Sequence, residues 1–207
     1  MQSKKIYLIR HGETEFNRKG IVQGSGVDAP LNETGISQAN AFYEYYKSTP
    51  FEKVYTSVLQ RSIQSVDSFL SMGIPHTPLE ALNEIHWGKK EGVVASKEDH
   101  DYYVHVTRQW KKGATDLPIE GGESPEDVQS RQKPALEYIL DQKDENLILI
   151  CMHGRAMKIL LCLMMDIPLA QMDRFDHRNL CLYKLEYRGN KFNLDLENDV
   201  QHLNGLD

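Results

Sequence analysis

The chain reads as an α/β protein, a three-layer sandwich with a mostly parallel central sheet and helices on both faces. Three observations predict this. The runs "IYLI" at 6–9, "KVYTS" at 53–57 and "NLILIC" at 146–151 have the length and the aliphatic or aromatic content of buried strands. Each is followed by a stretch whose apolar residues recur at helical spacing, and such alternation favours parallel pairing through crossover helices. The 207 residues suffice for one well-buried core. A single domain over 1–207 is expected, with about 87–122 as a helical and loop insertion covering one end of it.

Residues 5–9 form the first strand. After "DAPLNETG", Ile36, Ala39, Phe42, Tyr43 and Tyr46 mark an amphipathic helix that ends at "STP". "KVYTS" is the second strand. Leu59, Ile63, Val66, Phe69 and Leu70 continue as one helix, which Gly73 and Pro75 stop. From Trp87 to Gly122 no clean period holds. Next, Ser124 fits a helix N-cap, Pro125 the first helical position and Asp127 the capping-box site. Val128, Leu136, Ile139 and Leu140 carry that helix on, and Pro134 inside it predicts a kink or a late start. "NLILIC" ends at "MHGR", with Ile159, Leu160 and Leu163 in the following helix. "LCLYKLEY" alternates as the final strand, and the polar tail after Tyr187 reads as a loose edge strand or as disorder.

Composition narrows the function. Net charge is −6 and no dense Lys/Arg block occurs, which argues against nucleic acid or a membrane surface as partner. No apolar run approaches bilayer-spanning length. "MQSKK" runs directly into the first strand, so no leader is expected. Cys151, Cys162 and Cys181 are odd in number and lack CxxC spacing, so neither a disulfide framework nor a zinc site is indicated. A reducing, cytoplasmic setting is the expectation.

Three strands are each followed at once by cationic or imidazole side chains: Arg10 and His11, Arg61, and His153. In a parallel sheet these strand ends share an edge, where open α/β sheets place their ligands. Arg61 and Gly154 also lie near helix starts, whose N–H groups favour anions. Two arginines and two histidines facing one point describe a pocket for a tetrahedral dianion, since guanidinium forks match phosphate oxygens. One neutral imidazole can attack phosphorus while the other donates a hydrogen bond, and charge stabilisation does most of the remaining work. A leaving alkoxide needs a proton; Glu84, Glu91 and Glu13 are all candidates, and spacing alone does not choose among them.

At this point the sequence resembles the histidine phosphatase superfamily, the phosphoglycerate-mutase-like group. "LIRHGETEFN" is similar to that family's signature around its phosphorylated histidine, "VQGSGVDAPLNETG" to the segment after it, and "YTSVLQRSIQS" to the stretch with the second phosphate arginine. "ALNEIHWGKKEG" resembles the proton-donor region, "GGES" the later turn and "CMHGRAMKILL" the second histidine. The resemblance runs from about residue 5 to about 187. It implies His11 as a nucleophile forming phosphohistidine, and Arg10, Arg61 and His153 as holders of the phosphoryl oxygens. It further implies Asn17 and Gln23 beside the phosphate and Glu84 as proton donor, with no metal or organic cofactor. His11 must be neutral and Glu84 protonated to begin, which predicts a bell-shaped pH profile.

The expected reaction is hydrolysis of a small phosphorylated substrate. Mutases of the family are generally longer, present further arginines to a substrate carboxylate and usually carry Asn after the late HG; this chain has Arg155 there. The alternatives are a phosphoglycerate mutase, a non-catalytic phosphate-binding or interaction protein, and a phosphohistidine carrier in a signalling relay. Residues 86–112, with His86, Trp87, Lys89, Lys90, Arg108, Trp110, Lys111 and Lys112, are expected to meet the rest of the substrate, suiting a carboxylated monoester or a sugar phosphate. His100 and His105 read as surface residues and "GSG" at 24–26 as a flexible turn. Relatives often pair through sheet edges or helices, so a homodimer is compatible with the chain, though the sequence names no surface for it.

Overall fold

The protein's structure, a computed structural model, describes residues 3–206. Six strands make one sheet in the order β3-β2-β4-β1-β5-β6. They are β1 (Ser3–Arg10), β2 (Lys53–Thr56), β3 (His76–Pro78), β4 (Leu147–Met152), β5 (Leu182–Arg188) and β6 (Lys191–Asp199). The first four named in the sheet order pair in parallel, while β5 runs antiparallel to both β1 and β6. Among the described residues the α-helices are α1 (Glu15–Arg18), α2 (Glu33–Tyr46), α3 (Gln60–Gln64), α4 (Asp67–Ser71), α5 (Lys97–Lys111), α6 (Pro125–Asp141) and α7 (Gly154–Met165).

Side-chain alternation along the strands sorts the interior into two layers. Ile6 and Leu8 of β1, with Ile148, Ile150 and Met152 of β4, pack with Val106 and Trp110 of α5, Leu136 and Ile139 of α6 and most of α7. Ile9, Leu149 and Cys151 point the other way, onto Phe42 and Tyr46 of α2 and Phe69 of α4. α7 is the central helix: Ala156, Met157, Ile159, Leu160, Leu161 and Cys162 are all buried. The sandwich expected from the sequence is therefore present, with α5 adding its apolar stripe to the core that lies under α7.

Three elements depart from the sequence reading. The helix expected over 59–70 is two short helices. Between them Ser65 donates its Oγ–H to the Arg61 carbonyl at 2.6 Å and receives the Gly12 N–H at 2.9 Å, and Val66 leaves helical geometry. A hydroxyl that bonds its own i−4 carbonyl competes with the helical ladder. α6 runs unbroken through Pro134, so the proline removes one N–H from the ladder without ending the helix. The tail is an edge strand, as one of the two readings had it, but it is not loose: β6 pairs with β5 along its length, and His202, 6 % exposed, binds the Leu180 carbonyl through Nε2 at 2.8 Å.

Candidate active site

In-register pairing of Arg10 with Met152 brings the ends of β1 and β4 level, so the residues that follow them, His11 and His153, become neighbours. Their ring centroids lie 5.1 Å apart. His11 is 2 % exposed, and its Nδ1 lies 2.7 Å from its neighbour's carbonyl, Gly12 O. A carbonyl can only accept, so Nδ1 carries the proton and Nε2 keeps the lone pair. Burial first, then the Arg61 and Arg10 charges, hold His11 well below the ordinary histidine pKa, against the opposing pull of the Gly12 carbonyl. The ring is thus a neutral base with a defined nucleophilic nitrogen.

Arg61, from α3, is fully buried. It donates to Val27 O at 2.7 Å, to Gly24 O at 3.1 Å and, through Nε, to His153 Nδ1 at 3.2 Å. Burial lowers its pKa to about 10, so it stays charged, with the Glu84, Asp28 and Glu91 carboxylates favouring that charge. His153 accepts at Nδ1 and so donates from Nε2 to Ser57 Oγ at 2.7 Å. Burial and the surrounding arginines hold it neutral as well. The second guanidinium, Arg10, binds His177 Nδ1 at 3.2 Å, and its buried Nε has no partner among the described residues. An unpaired buried donor beside a nucleophile is a place for a ligand oxygen.

Glu84 is 7 % exposed and sits against the start of α7. Its Oε1 accepts N–H bonds from Ala156 at 2.8 Å and Ile85 at 2.9 Å, and its Oε2 accepts one from Arg155 at 3.1 Å. The anion received at that helix start is the protein's own carboxylate, so the N–H groups beyond Gly154 are not open to phosphate as the sequence suggested. With both lone pairs of Oε1 used, a proton on Glu84 has its place on Oε2.

The remaining residues fall into place around these. Asn17 accepts at Oδ1 from Thr14 N–H and from Asn179 Nδ2, both at 3.2 Å. Gln23 donates to Thr14 Oγ1 at 2.7 Å and buries an unpaired Oε1. His86 donates its backbone N–H to Glu123 Oε2 at 2.8 Å, accepts the Glu123 N–H at its carbonyl and accepts the Gly88 N–H at Nδ1, which ties the loop of Glu84 to the "GGES" turn. Glu13 accepts from Asn32 Nδ2 at 2.8 Å and braces the start of α2. Glu91 accepts the Trp87 N–H at 2.7 Å, and its carboxylate lies where a Cβ on Gly24 or Gly26 would stand, within 2.0 and 2.5 Å. The "GSG" segment is therefore a close approach of backbone to carboxylate, not a merely flexible turn. Among the described residues no three His, Cys, Asp or Glu side chains gather as a metal-ligand set, and His100 and His105 are exposed.

His177 was not singled out in the sequence. It lies in the loop before β5, and its ring covers Gly154 so closely that a Cβ there would come within 2.7 Å of Cε1. Burial and the Arg10 charge push its pKa down to about 3. Arg131 was also missed: it pairs with Glu123 at 2.8 Å and donates to the Ala81 and Glu84 carbonyls at 2.7 and 3.1 Å, fixing the loop that carries Glu84. Neither has a sequence neighbour that marks it, since each acts across tertiary contacts.

These features define an α/β protein with a buried cluster of two histidines and two guanidiniums at the C-terminal edge of its parallel strands. A family-model match over residues 6–200 makes the assignment specific: the chain belongs to the histidine phosphatase superfamily (branch 1). It is 30 % identical over 152 residues to the fructose-2,6-bisphosphatase TIGAR B of Danio rerio, covering 73 % of this chain and 57 % of that protein. It is 29 % identical over 161 residues to a 2,3-bisphosphoglycerate-dependent phosphoglycerate mutase of Cytophaga hutchinsonii, covering 75 % of each. The chain spans little more than half of the fish protein and a third (33 %) of a chicken 6-phosphofructo-2-kinase/fructose-2,6-bisphosphatase. Bacillus stearothermophilus YhfR has a similar fold, with a TM-score of 0.85 at 28 % identity over 97 % of this chain and 99 % of that one. No helix among the described residues is long and apolar enough to cross a membrane.

Proposed function

We propose that the chain hydrolyses small phosphomonoesters through a phosphohistidine on His11, with no metal needed for the step. The supporting observation is the bond from His11 Nδ1 to Gly12 O, 2.7 Å, which leaves Nε2 unprotonated between two arginines. The Nε2 lone pair attacks phosphorus while the bond from phosphorus to the ester oxygen breaks. The electron pair leaves on that oxygen, which takes the proton from Glu84 Oε2. Arg10 and Arg61 balance the charge on the transferring group, with Asn17 Nδ2 as a further donor. The Glu84 carboxylate then takes a proton from water as its oxygen attacks phosphorus, which frees His11 and phosphate.

A mutase would hand the phosphoryl group to a second alcohol, and the match to a phosphoglycerate mutase keeps that reading in view. One experiment separates the outcomes. Release of phosphate is followed from p-nitrophenyl phosphate, phosphoserine, 3-phosphoglycerate and sugar phosphates under excess chelator, with His11→Ala in parallel. Labelled enzyme is also quenched in base, where phosphohistidine survives. Turnover lost in the variant, with a transient base-stable label, supports hydrolysis. Label transferred to the free hydroxyl of 3-phosphoglycerate without phosphate release would establish the mutase, and no label at all would leave a binding protein.

A further inference from the structure

The cations expected to meet the substrate's far end are largely engaged with the protein's own carboxylates. Lys89 pairs with Glu120 at 3.0 Å, Lys90 with Asp99, and Lys111 with Asp173 at 3.4 Å. Arg155, next to Glu84, binds Asp173 at 2.7 Å and the Tyr103 hydroxyl at 3.2 Å. Trp110 is fully buried and Trp87 nearly so, both as core residues.

What the same segments leave open is a cavity of about 310 Å³ with a predominantly apolar lining from Val22, Trp87, Val93, Tyr102, Tyr103 and Ile119. Its lining is tied to the catalytic cluster through chain neighbours and one side-chain bond. Val22 precedes Gln23, Trp87 lies three residues after Glu84, and the Tyr103 hydroxyl accepts from Arg155, whose own N–H holds Glu84. The volume is in the range of small-ligand sites. Its charged rim residues, Lys90 and Asp99, are spent on each other. A carboxylate brought here would be desolvated against apolar side chains and would have to compete with Asp99 for Lys90, and that is costly. An aliphatic or aryl body would be favoured by burial alone.

We infer that this cavity seats the alcohol portion of the substrate and selects phosphomonoesters of apolar or aromatic alcohols over phosphoglycerate or phosphoserine. The inference rests on the phosphomonoesterase reading for its kinetic arm only. Burying one methylene is worth about 0.8 kcal/mol, or roughly a fourfold gain. Lengthening an alkyl phosphate from ethyl to hexyl therefore raises kcat/KM by about tenfold or more, once incomplete burial is allowed for. Val93→Asp, on an exposed loop and 48 % exposed itself, lowers that hexyl-to-ethyl ratio. Val94→Asp, beside it but outside the lining and 80 % exposed, leaves the ratio as it was.

The second arm needs no turnover. Binding of hexylphosphonate and methylphosphonate is titrated by the fluorescence of Trp87, which lines the cavity. Tighter binding of the hexyl compound, by about tenfold and diminished by Val93→Asp, supports the assignment. Equal binding of the two, or a faster reaction with 3-phosphoglycerate than with hexyl phosphate, overturns it. If no ester reacts but hexylphosphonate still binds preferentially, the hydrolase reading fails while the cavity stands as a site for apolar ligands.

Discussion

The Nε–H of Arg61 donates to Nδ1 of His153 at 3.2 Å, and through this bond the orientation of a guanidinium depends on an imidazole that must stay neutral. Two further bonds, to Val27 O and Gly24 O, lock the same fork onto the loop after α1. A lysine would keep the charge but could not span three acceptors held in that plane. Arg61→Lys is therefore expected to resemble Arg61→Ala, each lowering kcat/KM for p-nitrophenyl phosphate by about 10²- to 10³-fold, the cost of one lost transition-state donor. Near-complete activity in the lysine variant would show that charge alone matters there.

Neutrality also has a cost in stability. His11 and His153 are buried and held well below their ordinary pKa, and burial places His177 at about 3. In the unfolded chain all three take up protons as pH falls through about 6.5, whereas the folded protein does not until far lower pH. The unfolded state then binds more protons, so stability is fully present above about pH 6.5 and declines below it. Each such histidine contributes a slope of up to about 1.4 kcal/mol per pH unit. Denaturant midpoints should hold nearly level from pH 7.5 to about 6.5 and fall from there to pH 5, and His177→Asn should reduce that slope. A midpoint unchanged over that interval would mean that these rings are protonated in the folded state.

Glu84→Gln tests the proton carrier. The amide oxygen can keep the Ala156 and Ile85 donors, but the amide nitrogen would face the Arg155 N–H, leaving two donors opposed. A stability loss of about 1–3 kcal/mol is expected from that mismatch. With an alkyl ester, whose leaving oxygen needs a proton, phosphate release should slow by about 10²- to 10⁴-fold. With p-nitrophenyl phosphate, whose leaving group does not, a rapid burst of p-nitrophenol should precede slow steady release as phosphoenzyme accumulates. Equal slowing with both esters and no burst would remove Glu84 from the proton-transfer role.

Much of this could be read from the chain because strand-end chemistry is local. "IYLIRHG" and "LILICMHG" show where a strand stops and a reactive group begins, and parallel pairing then brings the two together without further information. The helix-period segments were legible for the same reason, apart from the break at Ser65–Val66, where a tertiary bond from Gly12 draws the serine hydroxyl. What could not be read depends on partners distant in sequence. His177 meets Arg10 across 167 positions. The lysines of the covering segment looked available because Asp173 and Glu120 lie outside any local pattern. Likewise, "GSG" shows no purpose until Glu91 folds against it.

The contact between His177 and Gly154 gives the most discriminating mutational test. An alanine methyl at 154 would lie 2.7 to 3.1 Å from three atoms of the His177 ring, closer than packed atoms tolerate. The ring must shift, and its Nδ1 then releases Arg10, whose Nε already lacks a protein partner among the described residues. Gly154→Ala is expected to raise KM for phosphomonoesters and weaken inhibition by inorganic phosphate, since in the proposed mechanism Arg10 serves the phosphoryl group. In a His177→Ala background the three nearest contacts of the methyl are gone, so the second substitution should cost little more than the first alone. The coupling energy from this double-mutant cycle should lie within about 0.5–3 kcal/mol, as for residues in direct contact. Additive effects on KM would show that Gly154 acts through the start of α7 instead, by displacing the N–H groups that hold Glu84.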